Sequence, residues 1–223
     1  MHFPRDVRLL FSSMGVVFGK ISEELPRHSV VFKAASYTVR RYEPSVAVQC
    51  DYTQGWGRSA DGGPFGALAR YIGVFSQPEN VAKSHGKPEP ISMTAPVLID
   101  PSNQHNHTMM FLLPRKYGSV EDAPLPANPN VRLQQLPARL QAVRTFNGNL
   151  RPARAREQLD LLLADLKADG WQTKNASDDT AAGVDWVVAG YNAPFVLPYF
   201  KTNEVMVGVE ERPDVEGEQR SKE

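Results

Sequence analysis

The sequence predicts an α+β fold in which eight antiparallel strands, forming one curved sheet or a distorted barrel, pack against two long helices. Short runs rich in β-branched and aromatic residues indicate the strands. Two longer stretches repeat apolar residues at three- and four-residue steps, which is typical of amphipathic helices. Both halves of the chain run strand, strand, helix, strand, strand. We therefore infer a duplicated unit, although the halves share little sequence identity.

The first half begins with strand-like segments at residues 29–35, 37–42 and 45–52. A proline at position 64 then predicts the first turn of a helix, because proline lacks an N–H group and suits that turn. The core-facing stripe of this helix comprises Phe65, Leu68, Ile72 and Phe75.

The segment 91–97 alternates apolar and polar residues, which predicts a half-buried strand. Pro96 has no N–H group to donate to a ladder, so the strand should lie at an edge or bend there. Residues 108–113 supply the expected antiparallel partner.

The second half repeats this order. Residues 131–136 and 140–146 form a predicted strand pair, and a helix from Pro152 to Ala168 follows. Its apolar face comprises Ala155, Leu159, Leu162, Leu163 and Leu166. The last two predicted strands are 186–191 and 204–209.

Composition excludes several classes of function. Lys and Arg number 25, and so do Asp and Glu, so no net field favours a nucleic acid as partner. A single cysteine excludes internal disulfides and multi-cysteine metal sites, and it favours a reducing compartment. No apolar run approaches the ~20 residues of a transmembrane helix.

Six short segments are distinctive when they are taken together in chain order. They lie at residues 37–44, 70–73, 91–97, 111–114, 190–195 and 202–205. Together they resemble the SOUL haem-binding protein family, and residues 14–21 look like the start of its plant or algal-type members. We accordingly expect a flexible extension at 1–17, one SOUL-type haem-binding domain at 18–210 and a disordered charged tail at 211–223.

The resemblance implies a distorted antiparallel barrel flanked by two helices, and reversible, non-covalent binding of haem or a related tetrapyrrole. In the family, the porphyrin is thought to lie in an open apolar groove beside the first helix and close to the loop before the last strand. Carried onto this sequence, the expected contacts are Leu68, Ala69, Arg70, Ile72, Tyr191, Phe195, Leu197, Tyr199 and Lys201.

The chemistry of a porphyrin fits such a set. The macrocycle is a large apolar disc that carries two carboxylates, so its site needs apolar surface and cations at the rim. The loop around Phe195 and Tyr199 offers the surface, and Arg70 and Lys201 are the candidate partners of the propionates. Without the resemblance, the same loop would equally be a cover for the end of the barrel.

Axial ligation of the iron has no clear candidate, so the metal ligand stays open. The five histidines are absent from the candidate helix, and in one branch of the family the proposed histidine ligand stands where this chain has Arg41. Met93 shares a face with apolar neighbours and is interpreted as core. Cys50 is interpreted as a buried structural thiol.

Three functions remain open. The first is a non-enzymatic tetrapyrrole carrier or buffer, expected to be a cytosolic or else plastid monomer that exchanges haem with donor or acceptor proteins. The second is an enzyme acting on a tetrapyrrole or small ester, with Glu204 and either Tyr191 or Tyr199 as acid–base groups. The third is an interaction module that docks a partner on the apolar loop.

Overall fold

A computed structural model describes residues 21–53, 63–74, 77–101, 107–174, 183–192 and 196–212. In chain order, the regular elements of these residues are β1 (His28–Lys33), β2 (Thr38–Tyr42), β3 (Ser45–Tyr52), α1 (Gly63–Ile72), β4 (Asn80–Val81), β5 (Val97–Asp100), β6 (His107–Leu112), β7 (Leu125–Pro126), β8 (Val131–Leu136), β9 (Arg139–Asn147), α2 (Pro152–Ala168), β10 (Trp186–Gly190), a 3₁₀ helix (Pro198–Phe200) and β11 (Thr202–Gly208).

Nine of these strands form one antiparallel sheet, in the order β1-β2-β9-β11-β10-β5-β6-β3-β8, and β4 pairs with β7 separately. Two residues link β2 to β3, and two link β8 to β9, yet each of these pairs is separated by five other strands in the sheet. A flat sheet would place such strands roughly 29 Å apart, whereas a two-residue link spans only about 10 Å. The sheet must therefore curl strongly.

Of the two expected forms, the single curved antiparallel sheet is confirmed, whereas the eight-stranded distorted barrel is wrong in strand number and the sheet is not closed. β1 adds a ninth strand beyond the repeated unit, and it pairs with β2 alone. At the other end of the sheet, β8 pairs with β3 alone. Within the described residues the sheet is thus a half-barrel with two edges. The duplication of the unit stays a prediction.

The two helices pack on one face of this sheet and cover the larger core. Helix α2 has the predicted bounds, and its buried apolar residues are Ala155, Leu159, Leu162 and Leu166. The sheet residues on this face alternate with inward-facing ones, because successive side chains of a strand point to opposite faces. Neither described helix combines the length and apolar character needed to cross a membrane.

A smaller core lies on the other face, inside the curl. Its buried members include Tyr42, Leu98, Met110, Val143 and Met206. Because the helices cover the opposite face, the curl of the sheet itself shields these side chains from water. The inner face is therefore enclosed, so the polar residues that share it are also shielded from water.

The expected strand at 91–97 is shifted, because β5 begins only at Val97. Pro96 cannot donate to a ladder. Just before it, the Thr94 hydroxyl donates to the Leu112 carbonyl oxygen at 2.6 Å, so a side chain makes the link to β6 here. Ile91 and Ala95 are nevertheless buried.

Candidate functional site

A cleft of about 720 Å³ opens where the first turn of α1, the strands β5 and β10, and the chain segments before α2 and β11 meet. Its apolar wall comprises Phe65, Val97, Ile99, Leu150 and Val196. The Phe65 ring packs edge-on against Phe111, with the ring centroids 5.3 Å apart. The wall therefore rests on the main core.

Polar side chains line the opposite part of the cleft. The Lys201 ammonium donates to the Asn149 side-chain oxygen at 3.0 Å. The Asn203 amide donates to the Gly148 carbonyl oxygen at 2.8 Å, and the Thr202 N–H donates to the Asn192 side-chain oxygen at 2.7 Å. The first two bonds tie Lys201 and Asn203 to the turn before α2, and the third ties Thr202 to Asn192.

Arg151 brings a second cation to the cleft, together with the start of α2. It is exposed, caps the helix without a side-chain hydrogen bond and precedes Pro152 at the first turn. The first turn contains no acidic residue, so nothing there offsets the positive end of the helix dipole. The cleft thus combines an apolar wall with positive charge at its rim.

The helix residues expected to contact the ligand lie elsewhere. Leu68, Ala69 and Ile72 are buried in the main core, and none of them lines the cleft. The Arg70 guanidinium pairs with the Glu79 carboxylate at 3.1 Å. Phe65, one turn earlier, is the residue of α1 that reaches the cleft. Whether the four predicted residues contact a ligand stays a prediction.

Of the predicted loop residues, Lys201 lines the cleft, and two others are exposed beside it in the chain. Leu197 is 49% exposed and Tyr199 is 82% exposed, and the Tyr199 ring meets Phe200 edge-on at 5.4 Å. Phe195 lies outside the described residues. The loop therefore presents apolar groups to solvent.

Tyr191 points to a different place, the inside of the curl. Its hydroxyl donates to the Glu204 carboxylate at 2.6 Å. Arg40 donates to both oxygens of that carboxylate, at 3.0 and 3.3 Å, and the Thr145 hydroxyl adds a fourth bond at 3.2 Å. Burial, reinforced by the adjacent Glu204 charge, raises the pKa of Tyr191 far above its usual value.

This network has the character of a structural link rather than of an acid–base pair. Glu204 is 4% exposed, and it does not line the cleft. Its oxygens are already occupied by four donors from β2, β9 and the residue after β10. A substrate would have to displace those partners to reach the carboxylate.

The described lining of the cleft includes none of the side chains that usually bind haem iron. Among its described lining residues there is no His, Cys, Met or Tyr. His28 contacts the Tyr42 ring, His85 accepts from the Lys87 N–H, and His107 packs at a tilt against the Tyr52 ring. The part of the chain that the structure describes also holds no cluster of three His, Cys, Asp or Glu suited to a metal.

Arg151 and most of the apolar wall were missing from the sequence-based site. A weak signal existed for Arg151, since it stands between the Asn147-Gly148-Asn149 turn and the proline that begins α2. Nothing in the sequence showed that this turn lies beside β5 and β10, because their approach depends on the order of strands in the sheet.

Comparisons with known proteins bear on both family and fold. The model of the SOUL heme-binding protein family matches residues 23–208. No curated protein sequence matches the chain. The EcmrR C-terminal domain is similar in structure, with a TM-score of 0.52, 9% identity, and coverage of 85% of this chain and 100% of that one. An uncharacterized conserved protein from Listeria innocua has a TM-score of 0.52, 8% identity and coverage of 84% and 93%. At these identities, the structural likenesses concern the fold alone.

Proposed function

Because this chain belongs to the SOUL heme-binding protein family, we propose that it binds haem or a related tetrapyrrole reversibly in the cleft and serves as a carrier or buffer. The observation that carries this proposal is the joint presence of an apolar wall and two rim cations in one cleft. Family membership supports tetrapyrrole binding in general. The location of the site and the carrier role are our inference.

The size of the cleft suits a ligand of this class. Its volume of about 720 Å³ falls within the ~300–1,000 Å³ typical of small-molecule sites. Contact over a few hundred Å² of apolar surface, at ~25 cal/mol per Å², would stabilise the complex by several kcal/mol before the costs of association. The expected affinity is micromolar or tighter.

The rim charges would orient the macrocycle. Lys201 and Arg151 lie where a porphyrin placed against Phe65 and Val196 would turn its propionates outward. Lys201 would exchange its bond to Asn149 for one to a carboxylate. Arg70, which pairs with Glu79, would first have to leave that carboxylate. Arg151 and Lys201 are therefore our first choice as propionate partners, and Arg70 is the second.

The predicted helix residues then have a supporting role in this pose. Leu68, Ala69 and Ile72 hold α1 against the sheet, and Phe65 from the same helix makes the contact. Leu197 and Tyr199 lie in the chain between the cleft residues Val196 and Lys201. They can close over the exposed edge of a bound disc.

A haem titration followed by Soret absorbance tests the proposal. Lys201→Glu and Arg151→Glu should each weaken binding about tenfold or more, since a charge-assisted bond contributes about 1.5–3 kcal/mol. Lys167→Glu, an exposed charge reversal in the last turn of α2, is the matched control and should leave the affinity unchanged. No Soret shift below about 10 μM would overturn haem binding.

Arg70→Glu distinguishes two possible locations of the porphyrin, one in the cleft and one on the Arg70 side of α1. If Arg70→Glu weakens binding while Lys201→Glu and Arg151→Glu do not, the porphyrin lies on the Arg70 side of α1 and the cleft is the wrong location. If only the two cleft variants weaken binding, the cleft placement holds.

The exposed loop supports a second candidate, a protein-interaction module. Tyr199 at 82% exposure and Leu197 at 49% form an apolar surface that a haem donor or acceptor protein could contact. We propose a monomer in the cytosol, with a plastid as the alternative; the single cysteine fits a reducing compartment of either kind.

A further inference from the structure

The floor of the cleft is a row of residues that crosses three strands of the sheet. Val97 of β5 lies directly opposite Gly190 of β10, and Gly190 lies directly opposite Asn203 of β11. Directly opposed residues of antiparallel strands project from the same face of a sheet, and Val97 packs against the core on the helix-covered face. All three residues line the cleft. The row therefore runs along the base of the space between the starts of α1 and α2.

Gly190 leaves the middle of this row without a side chain. Neighbouring strands lie about 4.8 Å apart, so roughly 10 Å separates the backbones of Val97 and Asn203. A Cβ atom at position 190 would lie 3.6 Å from the Leu150 side chain, which is an ordinary contact, and the φ angle of Gly190 is not positive. Neither packing nor backbone conformation requires glycine here. A glycine inside a strand often marks the close approach of a ligand, and this bare backbone suits the face of a flat one.

Asn203 supplies a hydrogen-bond acceptor at one end of the row. The residue is only 4% exposed, and its Nδ2 atom donates to the Gly148 carbonyl oxygen at 2.8 Å. No residue that the structure describes donates a hydrogen bond to its Oδ1 atom. This oxygen has no partner and yet is not fully buried, so it retains accessible surface, and the space that Asn203 lines is the cleft. A nearly buried acceptor without a partner is costly, so a donor on the ligand would stabilise the complex.

The other polar side chains of the cleft do not meet this need. Arg151 and Lys201 are donors, and the described lining residues include no carboxylate. The Asn149 side-chain oxygen accepts from Lys201, and that of Asn192 accepts a backbone N–H. Among the side-chain oxygens of the described lining, that of Asn203 is therefore left for a ligand. The cleft calls for a flat ligand with anionic groups towards the rim and a hydrogen-bond donor towards the sheet.

The two chemical forms of a tetrapyrrole differ in that donor. In a closed macrocycle the four nitrogens point to the centre of the ring, so the edge that enters the cleft carries no N–H group. An open-chain tetrapyrrole made from such a ring keeps both propionates, and its terminal rings are lactams whose N–H groups can turn outwards. Given the tetrapyrrole site proposed above, on which this step rests, we propose that the cleft selects open-chain tetrapyrroles. A lactam N–H donates to Asn203, a ring lies over Gly190, and the propionates reach Arg151 and Lys201.

Titrations of the full chain with biliverdin IXα and protoporphyrin IX, followed by ligand absorbance, test this selection. Both ligands carry two propionates, but only biliverdin has lactam N–H groups. The wild type should bind biliverdin about two- to tenfold more tightly, which is the effect of one neutral hydrogen bond. Asn203→Leu removes the acceptor at similar size and should abolish this preference. Asn130→Leu, at an exposed asparagine before β8, is the matched control and should change neither affinity.

The ratio of the two affinities distinguishes recognition from a structural effect of Asn203. Loss of its bond to Gly148 would shift the turn before α2 and would weaken both ligands alike, leaving the ratio unchanged. If Asn203→Leu does not fold, Asn203→Ala serves the same comparison, and the wild-type ratio needs no variant. Gly190→Val, which covers the bare floor, should weaken both ligands at least about tenfold.

Selection of open-chain ligands is overturned if the wild type binds the two ligands equally or prefers protoporphyrin, or if the Asn203 variants leave the ratio unchanged. Unchanged binding of both ligands to Gly190→Val would overturn the placement of the ring on the floor. In each of these outcomes the protein still binds a tetrapyrrole. Binding of neither ligand by the wild type would instead overturn the proposed function itself.

Discussion

The Arg40 guanidinium and the Glu204 carboxylate lie 3.0 Å apart inside the curl of the sheet, where both side chains are largely buried. They join β2 to β11 across β9, and Tyr191 and Thr145 complete the set of donors. Removing one member of such an ion pair lowers the stability of the protein, because the other charge stays buried without a partner.

Glu204→Ala should therefore destabilise the protein by about 3–5 kcal/mol in urea unfolding followed by circular dichroism. Glu211→Ala is the control, since Glu211 pairs with Arg41 at an exposed site where such pairs contribute about 0–1 kcal/mol. An equal loss of stability in the two variants would contradict a structural role for Glu204. Haem affinity measured on the folded fraction of Glu204→Ala should be unchanged, because Glu204 does not line the cleft.

Metal-free protoporphyrin should bind about as tightly as haem, within roughly threefold, because the described lining of the cleft contains no His, Cys, Met or Tyr to ligate iron. Its fluorescence change on titration gives the affinity, and Lys201→Glu should weaken both ligands by the same factor. A haem affinity a hundredfold above that of protoporphyrin would show that a protein ligand reaches the iron.

Much of the fold was predictable because the local signals agreed with the tertiary structure. Pro152 and the apolar spacing of Ala155, Leu159 and Leu162 fix the start and the buried face of α2, and the helix begins and ends where the sequence predicts. The strand β1 was predicted as a segment, at residues 29–35, but its place at the edge of the sheet and the open half-barrel were not predictable. Periodicity identifies a strand but does not specify its neighbours, and closure depends on the pairing of strands far apart in the chain.

The same limit applies to the candidate site. The resemblance placed α1 beside the ligand, but which residue of α1 reaches a cleft depends on how the helix sits on the sheet. Leu68 and Ile72 face the core, whereas Phe65 lies near the start of the helix, where it packs against Phe111 of β6 and lines the cleft. Tyr191 ends the predicted strand 186–191, and the resemblance made it a ligand contact, yet its hydroxyl turns inward to Glu204. The face of a residue at the end of a strand depends on register, which the sequence did not determine.

Asp51 should make the protein sensitive to acid. Two hydrogen bonds from Arg132, at 2.6 and 2.9 Å, and one from Thr108 hold the pKa of Asp51 below its usual value. A carboxyl group whose pKa is lower in the folded than in the unfolded state contributes stability above its unfolded value, near 3.9, and loses that contribution as the pH falls through the folded pKa.

Asp51→Asn should accordingly cost about 1 kcal/mol at pH 7, a figure reduced for the partial exposure of Arg132, and the difference from the wild type should shrink below about pH 4. Thermal unfolding of both proteins between pH 2.5 and 7 measures this difference in stability. Asp160→Asn, at an exposed carboxylate of α2, should follow the wild type at every pH. A stability difference that stayed constant down to pH 2.5 would show that Asp51 acts through packing and not through its charge.

Cys50 should be inert towards thiol reagents in the native protein. It is 6% exposed, and burial, with the adjacent Asp51 carboxylate, raises the pKa of the thiol, so both access and thiolate formation are disfavoured. Reaction with Ellman's reagent at pH 8 should be slower than that of the urea-unfolded chain by at least about a hundredfold, because it must await opening of the sheet. Each unfolded chain should release one equivalent of thionitrobenzoate from the reagent, since the chain has a single cysteine.

Glu204→Ala should speed the reaction of native Cys50 by increasing the open population, and Glu211→Ala should not. Rapid modification of the wild type under native conditions would show instead that β3 opens locally, independently of the network around Glu204.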